Sequence, residues 1–266
     1  MSWNESSIRL RRGTTRQAGH EAEGRRTAPA AAGRLPAGAR ARARLTAERL
    51  AWVHPAQSEL SFDNPFRLLV AVVLSAQSTD RMANRLASTL LERYPVPAAL
   101  AAADPAEVER ILRPIGFFRT KARELIAASR LLEVRYGGHV PQSTVELLTL
   151  PGVGRKTANA ILGVGFGDPA VITDRHLIRV ARRLRLVSST APSAVEAQIH
   201  RLLPHKGWTP FSLRMTLHGR YVCLARRPLC ERCVLNDFCP SSSTAGWPME
   251  ERRRIVLALE PESVAH

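Results

Sequence analysis

Lysine is almost missing from this chain: it occurs three times, at positions 121, 156 and 206, beside 36 arginines. Aromatic residues make up only 5%, and there are four cysteines. No run approaches the roughly 18 consecutive apolar residues of a membrane helix, and the N-terminus lacks the short apolar core of a secretory signal. A soluble intracellular protein of the cytoplasm or nucleoid, with no membrane partner, is therefore expected. The four cysteines all fall between positions 223 and 239, too few and too crowded for the disulfide framework of a secreted domain. A metal site in a reducing compartment suits them better. Acidic residues are also short, 23 against 39 basic ones, and the resulting formal charge of +16 over 266 residues points to a polyanionic partner. Apolar material is plentiful at 45% of the chain, enough for the core of one large or two modest domains, which excludes a wholly disordered or fibrous protein.

The charge is unevenly spread. Residues 1–44 hold ten Arg and three Glu but only five large apolar residues, Met1, Trp3, Ile8, Leu10 and Leu35, too few to offset the entropy of ordering them. This stretch reads as a disordered basic tail: a solvated extension, a weak auxiliary nucleic-acid contact or a transit-like leader. Residues 241–266 read as a second, shorter tail. Between 45 and 240 the pattern is helical. Val108, Ile111, Leu112 and Ile115 recur at i, i+3, i+4, i+7, as do Leu177, Val180, Ala181 and Leu184. Asp104-Pro105 with Glu107, and Ser143 with Glu146, are helix starts in which a carboxylate reaches back to the cap. The apolar run 66–74 fits a buried helix or a buried strand, and Asn64-Pro65 before it favours helix. No alternating run with hairpin turns occurs elsewhere, so an all-α fold is predicted.

Leu150-Pro151-Gly152-Val153-Gly154-Arg155-Lys156-Thr157 lies between two helical stretches. Gly152 and Gly154 permit a tight turn whose backbone N–H groups can hold a phosphate, and Arg155 and Lys156 follow it. This is a helix-hairpin-helix, which grips a sugar-phosphate backbone without reading bases; a plain connecting turn is the alternative. A guanidinium stays protonated, whereas an amine near a helix start beside Arg155 can be nucleophilic and form a Schiff base with a sugar carbon. Lys156 is thus either a nucleophile or a phosphate contact. Asp174, eighteen positions on, is either a helix N-cap or a carboxylate that stabilises developing positive charge or takes a proton from the nucleophile.

Cys223, Cys230, Cys233 and Cys239 are separated by six, two and five residues. One close pair flanked by single thiolates suits a four-iron cluster, with zinc as the competitor. Arg226 and Arg227 fall inside the six-residue loop, placed either to meet phosphates or simply to be solvated.

The chain resembles the endonuclease III family, the iron-sulfur branch of the helix-hairpin-helix DNA glycosylases, through LPGVGRKTAN at 150–159, Asp-x-His at 174–176, HGRYVCLARRPLCERC at 218–233 and Cys239. LSAQSTD at 74–80 and IGFFRTKA at 115–122 are similar to further family segments. The resemblance spans about residues 50–240. It implies an N-terminal helix over 45–57 that packs on a cluster domain over 169–240. A six-helix domain over 58–168 carries the hairpin, and a DNA cleft lies between the two domains. It also implies a 4Fe-4S cluster on the four cysteines and a monomeric enzyme acting on double-stranded DNA with a damaged pyrimidine or an abasic site. In that chemistry the base is flipped out, Lys156 attacks the sugar C1′ with help from Asp174, and β-elimination breaks the strand.

By family position Gln77 enters the space left by the flipped base and Phe117, where the family often has leucine, wedges the opposite strand. Taken alone, Gln77 is a polar residue at a helix end and Phe117 a core aromatic. Thr173-Asp174-Arg175-His176 departs from the family's Val-Asp-Thr-His: Thr173 competes with Asp174 as a cap, and a guanidinium stands beside the carboxylate. His176 is expected to be structural. Two other readings stay open. One is an adenine-mismatch glycosylase, which shares the cysteine spacing but typically lacks the hairpin lysine; the other is a non-catalytic DNA-damage-binding paralogue.

Overall fold

The computed structural model describes residues 36–243, and every regular element among them is helical. In chain order these are α1 (Gly38–Val53), α2 (Pro65–Ser75), α3 (Asp80–Arg93), α4 (Pro97–Ala101), α5 (Pro105–Leu112), α6 (Phe118–Tyr136), α7 (Thr144–Leu147), α8 (Arg155–Ala160), α9 (Arg175–Arg183), α10 (Pro192–Leu202) and α11 (Trp208–Tyr221). A π-helical turn, Ile161–Phe166, continues α8. None of these helices is long and apolar enough to cross a membrane.

Cap chemistry sets several starts. The Asn64 side chain accepts from the Arg67 N–H with Pro65 in the first turn, and the ambiguous apolar run is the buried helix α2. Asp104 caps α5 and Ser143 caps α7, and Ser143 also donates to the Glu146 carboxylate at 2.6 Å. Glu107 does not take its predicted role. Its carboxylate accepts from the Tyr94 hydroxyl at 2.7 Å and pairs with Arg93 at 3.1 Å, tying α5 to the end of α3 instead of reaching back to the cap.

The predicted tail boundary at 44 needs correction, because α1 begins at Gly38. Residues 38–44 carry no apolar stripe. What holds them is charge: Arg40 donates to the Arg201 carbonyl, and Arg42 to those of Leu184 and Arg185, at 2.8–3.0 Å. These carbonyls lie at the C-terminal ends of α10 and α9, where cations are favoured. The tail expectations for residues 1–35 and 244–266 lie outside the described residues.

Buried side chains gather in two main clusters. The first runs from Phe66 to Ala170 and joins α2–α8 around Leu69, Leu90, Leu112, Leu125, Leu132 and Ile161. The second resumes at Val171, joins α9, α10 and α11 to Leu235 and Phe238, and takes in Ala43 and Leu50 of α1. A small third cluster, Leu68, Val72, Ala160 and Ile172, draws on elements of both. Leu50 is fully buried, so Leu50→Ala is expected to cost about 2–5 kcal/mol. The loss should appear as a lower urea midpoint with an unchanged m-value.

Candidate active site

The hairpin between α7 and α8 depends on Gly152, whose φ is +78°; a Cβ there would also press on the Glu124 side chain at 3.0–3.1 Å. Gly154 is the extended N-cap of α8, with open space where its side chain would be. Val153 is buried beneath the turn and donates to the Leu150 carbonyl at 3.1 Å. Arg155, the first residue of α8, makes a two-point contact with Glu196 of α10, at 2.8 and 3.1 Å. That hydrogen-bonded carboxylate holds the guanidinium above its ordinary pKa, and the pair braces the hairpin helix.

Lys156 follows in the first turn of α8, is exposed, and lines a narrow pocket of about 80 Å³ together with Asp174. The pocket floor is the third apolar cluster, Leu68, Val72, Ala160 and Ile172, and its rim includes Glu59, Asp80 and Arg220. Arg220 donates to both carboxylates, and the Tyr221 hydroxyl donates to Glu59.

Asp174 caps α9: its Oδ1 accepts from the His176 and Leu177 N–H groups at 2.9 and 2.7 Å. It is 9% exposed and still contributes to the pocket lining. Thr173 does not compete as a cap, since its hydroxyl is buried without a partner. Arg175 turns to the His176 ring at 3.3 Å. Burial pushes His176 below its ordinary pKa, against the pull of Asp174, and its ring lies 3.2 Å from the Arg179 guanidinium. It is a packed, structural histidine.

The chain between the two helices, 167–174, has no strand partner, so polar side chains hold it. Asn159 donates to the Val171 carbonyl at 2.8 Å, while the Ala170 and Ile172 N–H groups donate to Thr209 and Ser212. The π-helical turn fits only because position 163 is glycine, where a Cβ would come within 2.5 Å of the Thr209 hydroxyl. This framework fixes Lys156 and Asp174 at one pocket. Sequence reasoning missed Asn159, Thr209, Ser212, Asp80 and Arg220. Asn159, Asp80 and Arg220 stood inside family-like segments, but pairings across up to 161 positions leave no periodic trace.

Gln77 and Phe117 do not line that pocket. Both are exposed and both adopt left-handed backbone, φ 61° and 59°; Phe117 is 67% exposed, so it is not a core aromatic.

All four cysteines line one small cavity. Arg183 of α9 donates to the Cys223 Sγ at 3.1 Å and to the Leu224 and Ala225 carbonyls, while Arg179 donates to the Cys223 carbonyl. The Leu235 N–H donates to the Cys233 Sγ at 3.4 Å. Burial pushes the Cys233 and Cys239 thiols above their ordinary pKa, and the neighbouring cysteines add to it. Gathering four thiolates here requires a compensating cationic centre, and four sulfur donors with N–H···S contacts fit an iron-sulfur cluster. Arg226 and Arg227 are exposed on the loop that Arg183 holds.

Comparisons with known proteins agree with this arrangement. Residues 70–205 match the HhH-GPD superfamily of base excision DNA repair proteins, and residues 223–239 match the iron-sulfur binding domain of endonuclease III, not a zinc site. Endonuclease III of Synechocystis sp. is 44% identical over 191 residues, which cover 71% of this chain and 87% of that protein. Its counterpart in Thermotoga maritima is 41% identical over 176 residues, covering 66% and 83%. The structure of a trapped endonuclease III–DNA covalent intermediate superposes with a TM-score of 0.70 at 38% identity, covering 75% of this chain and 92% of that one. The chain therefore takes a 4Fe-4S cofactor through this segment. With both the hairpin segment and the cluster segment accounted for, the chain is a member of the endonuclease III family within the HhH-GPD superfamily of base excision DNA repair proteins.

Proposed function

We propose that this protein is a bifunctional DNA glycosylase and abasic-site lyase that removes oxidised pyrimidines, with Lys156 as nucleophile and Asp174 as the assisting carboxylate. The observation that carries the reading is that both side chains line one pocket over an apolar floor. The Lys156 amine bonds to C1′ as the bond from C1′ to the base breaks, and the sugar ring opens to a Schiff base. Asp174, fixed by two backbone N–H groups, takes the proton released from the attacking amine and balances the cationic sugar. The Schiff base acidifies the 2′ hydrogen; its loss expels the 3′ phosphate, and hydrolysis of the imine frees Lys156.

The surrounding residues take supporting roles. The turn formed by Gly152 and Gly154 presents the open N–H groups at the start of α8, and these, with Arg155 bracing the turn, hold the backbone of a double-stranded DNA. Arg226 and Arg227 meet a flanking phosphate, Gln77 fills the vacated space and Phe117 wedges the opposite strand. Cys223, Cys230, Cys233 and Cys239 are the cluster ligands; the cluster supplies a rigid four-way crosslink that shapes the arginine loop. The division into a hairpin-bearing domain over 58–168, with the seven helices α2–α8 where six were expected, and a cluster domain over 169–240 is supported by the passage from one buried cluster to the other at Ala170 and Val171; the protein acts as a monomer.

Asp174→Asn tests the carboxylate. Asparagine is as good a cap as aspartate, so the thermal midpoint should stay close to the parent's while base release falls by about a hundredfold or more. The assay is single-turnover cleavage across a panel of oxidised pyrimidines. Undiminished release by the variant would remove Asp174 from the mechanism, and release of adenine from mismatches in place of damaged pyrimidines would favour the mismatch enzyme.

A further inference from the structure

Of the three lysines, Lys121 alone is buried, 5% exposed. Among the described residues it forms no ion pair. Its Nζ donates instead to the carbonyls of Val73 at 2.6 Å and Ala76 at 2.7 Å, with that of Leu74 at 3.4 Å. These are carbonyls of the last turn of α2 and of the residue after it, groups that a helix end leaves unsatisfied. Converging acceptors match the tetrahedral donors of an ammonium, which a planar guanidinium does not reproduce. Burial pulls Lys121 below its ordinary pKa, a cost that a methionine of similar length would not incur, so the charge is retained for what it holds.

It holds the backbone beside two strained residues. Ala76 directly precedes Gln77, and the Lys121 backbone N–H donates at 3.0 Å to the carbonyl of Phe117, the N-cap of α6. Gln77 and Phe117 both sit in the left-handed region without being glycine, a conformation that persists only where the surroundings enforce it. One residue therefore links the two loops that present these exposed residues: its side chain fastens the end of α2 beside Gln77, while its backbone belongs to the first turn of α6 that begins after Phe117.

We propose that Lys121 is a positioning residue that keeps Gln77 and Phe117 in register, so that the two side chains enter a duplex as a pair. It rests on the roles proposed above for those two residues, and it touches no reacting atom.

The test uses the cluster-loaded full chain, with Lys121→Met as the main variant. Lys121→Arg, which keeps the charge but not the fit to converging carbonyls, is read the same way if the first does not fold. One substrate is a duplex with an oxidised pyrimidine and a neighbouring 2-aminopurine that reports unstacking. The other is a single-stranded abasic-site oligonucleotide, which needs neither wedge nor flipping. On the duplex, base release and the 2-aminopurine signal should fall at least about tenfold, as expected when reacting groups are misplaced by an ångström or less. Borohydride trapping on the single strand should stay close to the parent's.

Gln77→Ala should lower duplex activity, and adding Lys121→Met to it should cost little more, because coupled residues are not additive. Equal losses on both substrates, additive losses with Gln77→Ala, or unchanged duplex activity in a folded variant would each overturn the proposal. A parent protein that traps neither substrate overturns the functional reading itself, and this inference with it.

Discussion

Lys156→Gln is expected to form no borohydride-stable adduct with abasic-site DNA and to lose about three orders of magnitude or more in strand cleavage. Its circular dichroism and cluster absorbance should match the parent protein's. The effect is large because the step needs a nucleophilic amine and glutamine has none, and it is clean because the Lys156 side chain is exposed and enters none of the ion pairs among the described residues. Binding to an abasic-site duplex should survive, since the hairpin backbone and Arg155 are untouched. An adduct that persists in the variant would move the nucleophile elsewhere; of the other two lysines, Lys121 is buried and Lys206 is exposed beside a neighbouring cavity. Tight binding by the parent without base release or adduct would favour the non-catalytic paralogue.

Cys233→Ser is expected to abolish the visible absorbance of the cluster and to lower the thermal midpoint by roughly 10 °C or more, given the folding energy that structural metal sites commonly carry. The reason lies in how little else orders this segment. Beyond α11 the described residues contain only two three-residue helical turns, Cys230–Arg232 and Asn236–Phe238. The segment is nonetheless part of the second core through Leu235 and Phe238, and Asp237 pairs with Arg49 of α1. Loss of the cluster should therefore loosen α1 as well as the loop bearing Arg226 and Arg227. Limited proteolysis should cut first in that loop while the first core stays protected. A variant that keeps its midpoint and its protection would show that the thiolate crosslink is dispensable for the fold.

The fold class was legible because its signals are local. Asn64-Pro65, Asp104-Pro105 and Ser143 announce their helices, and the stripe from Leu177 to Leu184 is buried as its spacing predicts. The hairpin lysine and the cysteines were legible because glycine and thiol chemistry restrict what such spacings can do. The rest depends on buried polar groups, which carry no periodicity. Arg49, Lys121, Arg183 and Glu196 each satisfy a partner at least 40 positions away, and no periodicity marks them. The first turns of α1 failed for the same reason, since arginines on distant carbonyls anchor them. The left-handed backbone at Gln77 and Phe117 was hidden because neither is a glycine, the usual sign of that conformation.

The contact between Arg49 and Asp237 joins residues 188 positions apart, and it closes a core to which α1 contributes first and the cysteine segment last. Translation proceeds from the amino end, so the first cluster of helices can consolidate while the ribosome is still producing the remainder. Throughout that interval α1 waits with its inner face uncovered. Assembly of the metal centre is accordingly a late maturation event, and cells starved of iron should accumulate a half-finished polypeptide exposed to chaperones and proteases.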